Sequence, residues 1–510
     1  MKTLILTVFS FIALSAFSQQ ASLGVFEQAA DIGKPKLAGQ TKYDASIQTY
    51  NLQAGGYNIW FGRDEFQYTY RKIKGDFILT ANFEFTNKGT DPHRKFGWMV
   101  RESTNEDAVH VSATFHGDGL TCLQWRELRG AYMRDPEDQI VYEKKRVQTI
   151  QLERRGKTYT MRVANWGEPL QTVGSKELIN LKDEVLVGIF LCSHNADMME
   201  TAKAWNVRID KPIPTSFNPY QEPTLGCRLE TINPFDGKRK VIYESNERIE
   251  APNWMPDGKQ LLINSKGSLF KIPSEGGALD KLNTDFANRN NNDHGISFDG
   301  KMLAISHHRD GQPGGGSTVY ILPLTGGMPK QITANSPSYW HGWSPNGKDV
   351  VYTANRPGAT AYNIYKASVA DGKETQLTFY ETGIFDGPEY SPDGKWIYYN
   401  GTATGTMQLW RMKPDGSGQE QITFDERNNW FAHSSPDGKW IAYLAYPAAM
   451  DPLTHPFCKQ VELRLMPTAG GPARTIAYIY GGQGTINVPS WSPDSKQLAF
   501  VSNSGTGMQD

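Results

Sequence analysis

The stretch Trp343-Ser-Pro-Asn-Gly is one of six related copies of a five-residue phrase in the second half of the chain. The other copies begin at Trp254, Ile296, Tyr390, Ser434 and Trp491. The Asp or Asn of the phrase stands at positions 257, 299, 346, 393, 437 and 494, so consecutive copies are 42, 47, 47, 44 and 57 residues apart. Such a period, combined with short apolar runs, indicates a radial repeat of small sheets and not one continuous sheet.

Each copy has the residues of a tight turn between two strands. Pro presets φ, the Asp side chain bonds back to its own backbone, and Gly accepts a positive φ. A third apolar run follows about twenty residues later, as in Asn363-Ile-Tyr-Lys, and a fourth run follows a further Gly-containing turn, as in Gln376-Leu-Thr. Four antiparallel strands per repeat predict one propeller blade.

The ends of the repeat region predict how the ring closes. The last copy is followed by too few residues for a complete blade, and an unassigned strand pair, Arg228–Thr231 and Lys240–Tyr243, precedes the first copy. We expect this pair to complete the last blade, which gives six blades closed by strand exchange between the two ends.

The Trp-Ser-Pro-Asn-Gly-Lys type of repeat resembles the WD40-like repeats of the TolB-type propeller family, and the resemblance covers roughly residues 216–510. It implies an all-β fold with a six-bladed β-propeller over residues 222–510. It implies little about activity, because this fold hosts binding scaffolds and polysaccharide lyases alike.

A different all-β module is predicted for residues 19–212. Alternating strands are predicted at 76–85, 95–101, 109–115, 148–153, 158–163 and 185–191. The segments Phe96-Gly-Trp-Met-Val-Arg and Ala204-Trp-Asn-Val-Arg resemble those of a concanavalin/laminin-G-like jelly-roll sandwich, a fold that often binds carbohydrate. The residues of the right type to contact a sugar are Trp98, Arg101, Glu102, His116, Asp118 and Trp125. The alternative is that the two indoles belong to the core and the charged residues to the surface.

The N-terminus predicts export. Residues 1–18 combine Lys2, an apolar run from Leu4 to Phe17 and a small-residue cleavage site, which is typical of a secretory signal peptide. The chain is therefore expected to be periplasmic or secreted, with no membrane span. A Pro-rich linker at 213–221 is expected to hold the two modules at a fixed separation.

Composition excludes several classes of function. The net charge is −1 with no basic block, so nucleic acid is not an expected partner. The four cysteines form no CxxC or zinc-like spacing. No nucleophile elbow, P-loop or dinucleotide-binding fingerprint occurs between a strand and a helix.

Candidate site residues are found by sorting the propeller loops. In a four-stranded blade, the connection to the next blade and the connection between the second and third strands emerge at the same end. All six propeller histidines are expected at that end, where a funnel would offer ring faces, carboxylates and guanidinium groups. The predicted ligand-binding residues are Asp293, Tyr339, Trp340, Trp430, Arg309, Arg356 and Gln483.

The chemistry of this end has three interpretations. His294, His341 and His433, from the second, third and fifth repeats, could bind a divalent metal such as Mn or Ca, as in oligogalacturonate-type lyases, which this arrangement resembles. The same three histidines, with Asp386, are candidate catalytic groups, and Arg309 or Arg356 would neutralise a uronate carboxylate. Alternatively, each imidazole caps a loop by bonding the backbone of a neighbouring blade.

Two functions are consistent with these patterns. The first is an exported binding protein whose funnel recognises a glycan or protein ligand, with the lectin-like module as an accessory. The second is a carbohydrate-active enzyme, a polysaccharide lyase or glycoside hydrolase, whose active site lies at the channel mouth.

Overall fold

The computed structural model describes residues 22–143, 147–218, 221, 224–312 and 316–505. The predicted signal peptide, residues 1–18, lies outside the described residues. The described residues are organised by 37 β-strands in eight sheets. No helix among them is long and apolar enough to cross a bilayer.

The N-terminal module contains fourteen strands. In chain order they are β1 Gln28–Ile32, β2 Gln40–Asp44, β3 Thr49–Ala54, β4 Phe66–Lys74, β5 Phe77–Phe85, β6 Lys95–Arg101, β7 His110–His116, β8 Thr121–Arg126, β9 Gln139–Tyr142, β10 Thr149–Arg155, β11 Thr158–Ala164, β12 Gln171–Glu177, β13 Glu184–Cys192 and β14 Glu200–Asp210. They form two seven-stranded antiparallel sheets, ordered β1-β4-β13-β6-β7-β8-β9 and β12-β11-β10-β5-β14-β3-β2.

The two N-terminal sheets share one apolar core. Leu79 and Leu152 from the second sheet pack in the same cluster as Trp98 and Val187 from the first. The indole of Trp98 is fully buried and donates a hydrogen bond to the carbonyl of Ile150 at 3.2 Å. The assignment of these sheets to the concanavalin/laminin-G class stays a prediction.

The suggestion that this module binds sugar through Trp98, Arg101 and Trp125 is wrong for these residues, because all three side chains are buried. Arg101 instead donates to Asp64 at 2.8 Å in the interior of the module. Alternation along these strands predicted an inward-facing set but did not separate core indoles from exposed ones.

The C-terminal module contains the remaining strands. They are β15 Thr224–Ile232, β16 Arg239–Glu247, β17 Glu250–Trp254, β18 Gln260–Ser265, β19 Ser268–Pro273, β20 Asp280–Lys281, β21 Asn290–Ile296, β22 Met302–His308, β23 Ser317–Pro323, β24 Lys330–Gln331, β25 Ser338–Trp343, β26 Asp349–Ala354, β27 Asn363–Ser368, β28 Glu374–Gln376, β29 Phe385–Tyr390, β30 Ile397–Gly401, β31 Gln408–Met412, β32 Glu420–Gln421, β33 Asn428–Ser434, β34 Trp440–Tyr446, β35 Lys459–Pro467, β36 Arg474–Gly481 and β37 Leu498–Ser504.

These strands build the predicted six-bladed propeller. Five blades are four-stranded antiparallel sheets in chain order, from β17-β18-β19-β20 to β33-β34-β35-β36. The sixth is the sheet β16-β15-β37, in which Leu229 of β15 lies opposite Val501 of β37. Its inner edge is a single bridge between Trp491 and Leu498. The expected strand exchange between the two ends of the repeat region is therefore confirmed.

The repeated turn behaves as its residues predict. In the third blade the amide of Lys348 donates to the Asn346 side chain at 3.0 Å, and Gly347 has a φ of +67°. The same side-chain bond recurs in all six copies at 2.9–3.1 Å. In the last copy Ser495 replaces Gly and still takes a φ of +60°. The Asp/Asn bond and the left-handed residue thus act together as the hairpin signal.

The two modules are packed against each other. The Gln48 side chain bonds both backbone groups of Val241, at 2.8 and 2.9 Å, and Ile78 joins an apolar cluster of propeller residues. Arg208 of β14 pairs with the buried Glu230 of β15. The modules are therefore in direct contact, which the expected fixed separation did not include, and the Pro-rich linker at 213–221 stays a prediction.

Candidate functional site

A cavity of about 500 Å³ opens at one end of the propeller channel, where the inner strands begin. Connections between blades and between second and third strands contribute to it together, as the sorting of loops predicted. The lining residues are Arg248, Glu250, Gly267, Asn290, Asn291, Asn292, Asp293, His308, Tyr339, His341, Thr353, Tyr362, Ile384, Asp386, Phe431, His455, Gln483 and Asn487.

One repeat position supplies much of this lining. The residue seven places before the turn Asp or Asn lines the cavity in five of the six blades: Glu250, Asn292, Tyr339, Asp386 and Asn487. At or just after this position, each of the first five inner strands has a β-bulge or register shift against the second strand. A bulge redirects side chains, and residues of these irregular segments, such as His341 and Phe431, also line the cavity.

His341 and Asp386 form an ion pair in the cavity wall. The Nε2 atom of His341 lies 2.9 Å from Oδ1 of Asp386, and Nε2 of His455 lies 4.0 Å from Oδ2 of the same carboxylate. Burial opposes the charge on both His341 and Asp386, but their mutual attraction outweighs it. The pKa of His341 is therefore raised, and that of Asp386 is held well below its usual range. His455 differs, since burial lowers its pKa.

Asp293 and Glu250 are two further carboxyl groups of the cavity, and burial dominates the pKa of each. Burial raises the pKa of Asp293 to about 7, and the negative charge of Asp386 adds to this effect. Burial also raises the pKa of Glu250, although Arg248 lies 3.6 Å away. The cavity therefore holds one ionised carboxylate and two carboxyl groups whose charged form is destabilised by desolvation.

Five of the predicted site residues line this cavity: Asp293, Tyr339, His341, Asp386 and Gln483. They come from three adjacent blades and from the connection that precedes the last blade. Gln483 accepts a hydrogen bond from the Asn487 amide at 2.9 Å, so its orientation is set by a neighbour on the same loop.

The other four predicted ligand-binding residues do not line the cavity. Trp340 and Trp430 are buried in blade cores. Arg309 bonds Tyr320 and Gln331 of the third and fourth strands of its blade, and Arg356 bonds Glu374 of the fourth strand and Ser338 of the first. These interpretations were wrong because loop sorting gives the end of the propeller but not the distance from its axis.

The three-histidine metal site is also not formed. His294 pairs in register with Ile305, and burial lowers its pKa to about 4. His433 pairs in register with Ala442 and contacts Glu389 and the carbonyl of Ile486. Neither His294 nor His433 is among the residues that line the cavity with His341. Among the described residues no group of three or more His, Cys, Asp or Glu side chains is placed to hold a metal ion, so the expected Mn or Ca does not fit here.

The remaining propeller histidines divide as well. His308 and His455 line the cavity, whereas His307 packs between Phe286 and Tyr320. Sequence analysis did not select Glu250, Asn292 or Asn487 as site residues. Their shared position, seven before the turn residue, is the signal that could have identified them.

Comparisons with known proteins agree on the propeller. The model of the TolB beta propeller domain matches residues 316–454. Uncharacterized protein Atu1656 of Agrobacterium fabrum is 46% identical over 279 residues, which cover 54% of this chain and 92% of that protein. A solved structure from Agrobacterium tumefaciens, provisionally named TolB, is 43% identical with a TM-score of 0.52, and the match covers 55% of this chain and 99% of that one.

A more distant relative carries a functional name. The Tol-Pal system protein TolB of Francisella tularensis is 27% identical over 291 residues, and this chain covers 62% of its length, which is less than two thirds. High identity over nearly the whole of the Agrobacterium protein, together with the match to the domain model, decides the family. The chain belongs to the family of TolB-like β-propeller proteins.

Proposed function

We propose that this chain is an exported binding protein whose propeller cavity takes the end of a glycan chain. The relatives named TolB and the predicted signal peptide support the proposal of export to the periplasm or beyond. The N-terminal sheets would serve as a concanavalin/laminin-G-like accessory module, held in fixed orientation by the interface with the propeller.

The observation that carries this proposal is the size and lining of the cavity. A volume of about 500 Å³ is within the range of small-ligand sites, about 300–1,000 Å³. A protein partner would instead need about 800 Å² of surface on each side of an interface. A concave cavity of this size favours the end of a ligand chain over a flat macromolecular surface.

The types of lining residue fit hydroxyl-rich ligands. Side-chain amides of Asn291, Asn292, Gln483 and Asn487 offer both donors and acceptors. Tyr339 and Tyr362 add two ring faces whose centroids are 6.4 Å apart, which suits the apolar face of a sugar. This combination of rings and amides supports glycan binding.

The experiment is a glycan array with the full chain, followed by calorimetry with the glycan that binds. Tyr339→Ala removes one ring face and Asn487→Ala removes one hydrogen-bonding amide, so each is expected to weaken glycan binding about tenfold. Arg309→Ala is the matched control, because this side chain is bound at an outer strand. Unchanged affinity in both cavity variants, or an array without any bound glycan, would refute the proposal.

A catalytic function is the alternative that one observation favours. Asp293, with a pKa raised to about 7, and Asp386, with a lowered pKa, share one cavity, and carboxyl groups with divergent pKa values can act as acid and base. Release of reducing ends from neutral polysaccharides by the wild type, and loss of this activity in Asp293→Asn, would establish a hydrolase. The uronate lyase alternative has less support, because Arg309 and Arg356 are bound elsewhere.

A further inference from the structure

The charges in the cavity are unevenly distributed between acids and bases. Three carboxyl groups line it, and two of its cationic groups are already engaged with them. His341 is paired with Asp386 at 2.9 Å, and Arg248 lies 3.6 Å from Glu250 and over the ring of Phe457. Each of these two cations is therefore engaged with one carboxyl group, and neither forms an ion pair with Asp293.

Of the three carboxyl groups, Asp293 is the one without an ion-pair partner among the described residues, although the charge of His341, which is paired with Asp386, also acts on it. Its side chain is buried, and its Oδ2 atom accepts a hydrogen bond from the Asn291 amide at 2.6 Å. Within the described residues no cation lies within ion-pair distance of it. A buried carboxylate without such a partner is costly, so this position favours a cation supplied from outside the chain.

A second observation points to a donor-rich ligand. The Oδ1 atom of Asn290 is buried and has no hydrogen-bond partner among the described residues. The amide nitrogen of the same side chain is already used, donating to the carbonyls of Gly267 and Ala287 at 2.9 and 2.8 Å. The cavity wall near Asp293 therefore has an excess of acceptors and needs donors.

We propose that the ligand carries a protonated primary amine, which is bound by Asp293 and Glu250. An ammonium group supplies three donors and one positive charge, which matches the acceptor excess. The ring faces of Tyr339 and Phe431 line the same cavity and would favour a cation near them. This inference rests on the proposed function and narrows its ligand class to amino sugars.

The test compares charged and uncharged forms of the same ligands by calorimetry with the full chain. The probes are a glucosamine disaccharide, its N-acetylated form, a glucose disaccharide, a glucuronic acid disaccharide, and a lysine-containing tripeptide with and without acetylated amines. The glucosamine disaccharide is expected to bind about tenfold or more tightly than its acetylated form, because one charge-assisted interaction is lost on acetylation.

Variants locate the effect. Asp293→Asn and Glu250→Gln are each expected to remove most of the preference for the glucosamine disaccharide over its acetylated form. Asp310→Asn is the matched control, since this carboxylate in the same blade is 88% exposed and pairs with Arg289. A thermal melt of each variant establishes that the fold is retained, and the two acidic variants provide independent tests.

The outcomes separate the two proposals. Equal binding of the charged and acetylated disaccharides would overturn the amine inference and leave glycan binding intact. Binding of the glucuronic acid form alone would overturn it as well. If the tripeptide with unacetylated amines binds and none of the disaccharides binds, the amine inference stands and the proposed glycan ligand is wrong. Binding of none of the probes overturns both.

Discussion

Glu230→Gln tests the ion network where the ring closure and the module interface meet. Glu230 is fully buried in β15 and accepts hydrogen bonds from Arg208 of the N-terminal module, Arg239 of β16 and Ser502 of β37. Burial opposes its ionisation, but the two guanidinium groups outweigh this and hold the pKa of Glu230 well below its usual range. One carboxylate thus joins three segments that are distant in the chain.

The loss of unfolding free energy expected for Glu230→Gln follows from the hydrogen bonds that the substitution removes. The two carboxylate oxygens accept four guanidinium bonds of 2.7–3.1 Å and one hydroxyl bond of 2.6 Å. A Gln amide keeps one acceptor oxygen and turns an NH₂ group toward donors. Arg208 and Arg239 would remain buried without a counter-charge, and removing one partner of a buried network costs about 3–5 kcal/mol.

Urea unfolding followed by circular dichroism measures this loss. Glu244→Gln is the matched control: its side chain is 58% exposed and lies 3.5 Å from Arg228, so a change below about 1 kcal/mol is expected. Because the pKa of Glu230 is lowered on folding, its contribution is present above pH 4.5 and declines as pH falls below that value. The variant should then approach the wild type at low pH. A loss no larger than that of the control would refute the reasoning.

Three further outcomes are expected. Asp293→Asn should stabilise the protein more at pH 8 than at pH 5. The native state keeps the Asp293 proton up to about pH 7, whereas the unfolded chain releases it near pH 3.8. Between these two pH values the unfolding free energy of the wild type therefore falls by up to about 1.4 kcal/mol per pH unit. Equal effects in urea unfolding at both pH values would contradict this. His294→Ala should cost about 1–3 kcal/mol and leave binding of the glucosamine disaccharide unchanged. His341→Ala should strengthen that binding, because it removes the counter-charge of Asp386, and calorimetry would measure both effects. Leu229→Ala in the closing blade should cost about 2–5 kcal/mol in urea unfolding, while Val141→Ala, at a side chain 45% exposed, should be nearly neutral.

Local chemistry made the propeller predictable. The Asp-to-backbone bond and the left-handed residue of each turn are properties of a few adjacent residues, and their period counted the blades. The unassigned strand pair near Arg228 and Lys240 could be placed in the last blade, because a closed ring needs every blade to be complete. The N-terminal strand Thr121–Arg126 was missed because it is buried on both faces and shows no alternation.

The candidate site was predicted only in part. Asp293, Tyr339, His341, Asp386 and Gln483 were selected from residue type and loop position, and all five line one cavity. The erroneous choices had the same residue types and the same end of the propeller. Their distance from the axis depends on the inner strand and on the packing of neighbouring blades, which no local pattern contains.

His294 and His341 show where sequence information ends. Both stand five residues before the turn residue of their repeats, so the sequence by itself determined that they occupy equivalent places in two blades. Tertiary structure determined their different environments. His294 lies in register opposite Ile305, whereas His341 lies at the bulge between Trp340 and Gly342 and forms an ion pair with Asp386. Turn geometry arises from adjacent residues, but the direction of a side chain at the channel is set by strand pairing and by charges from other blades.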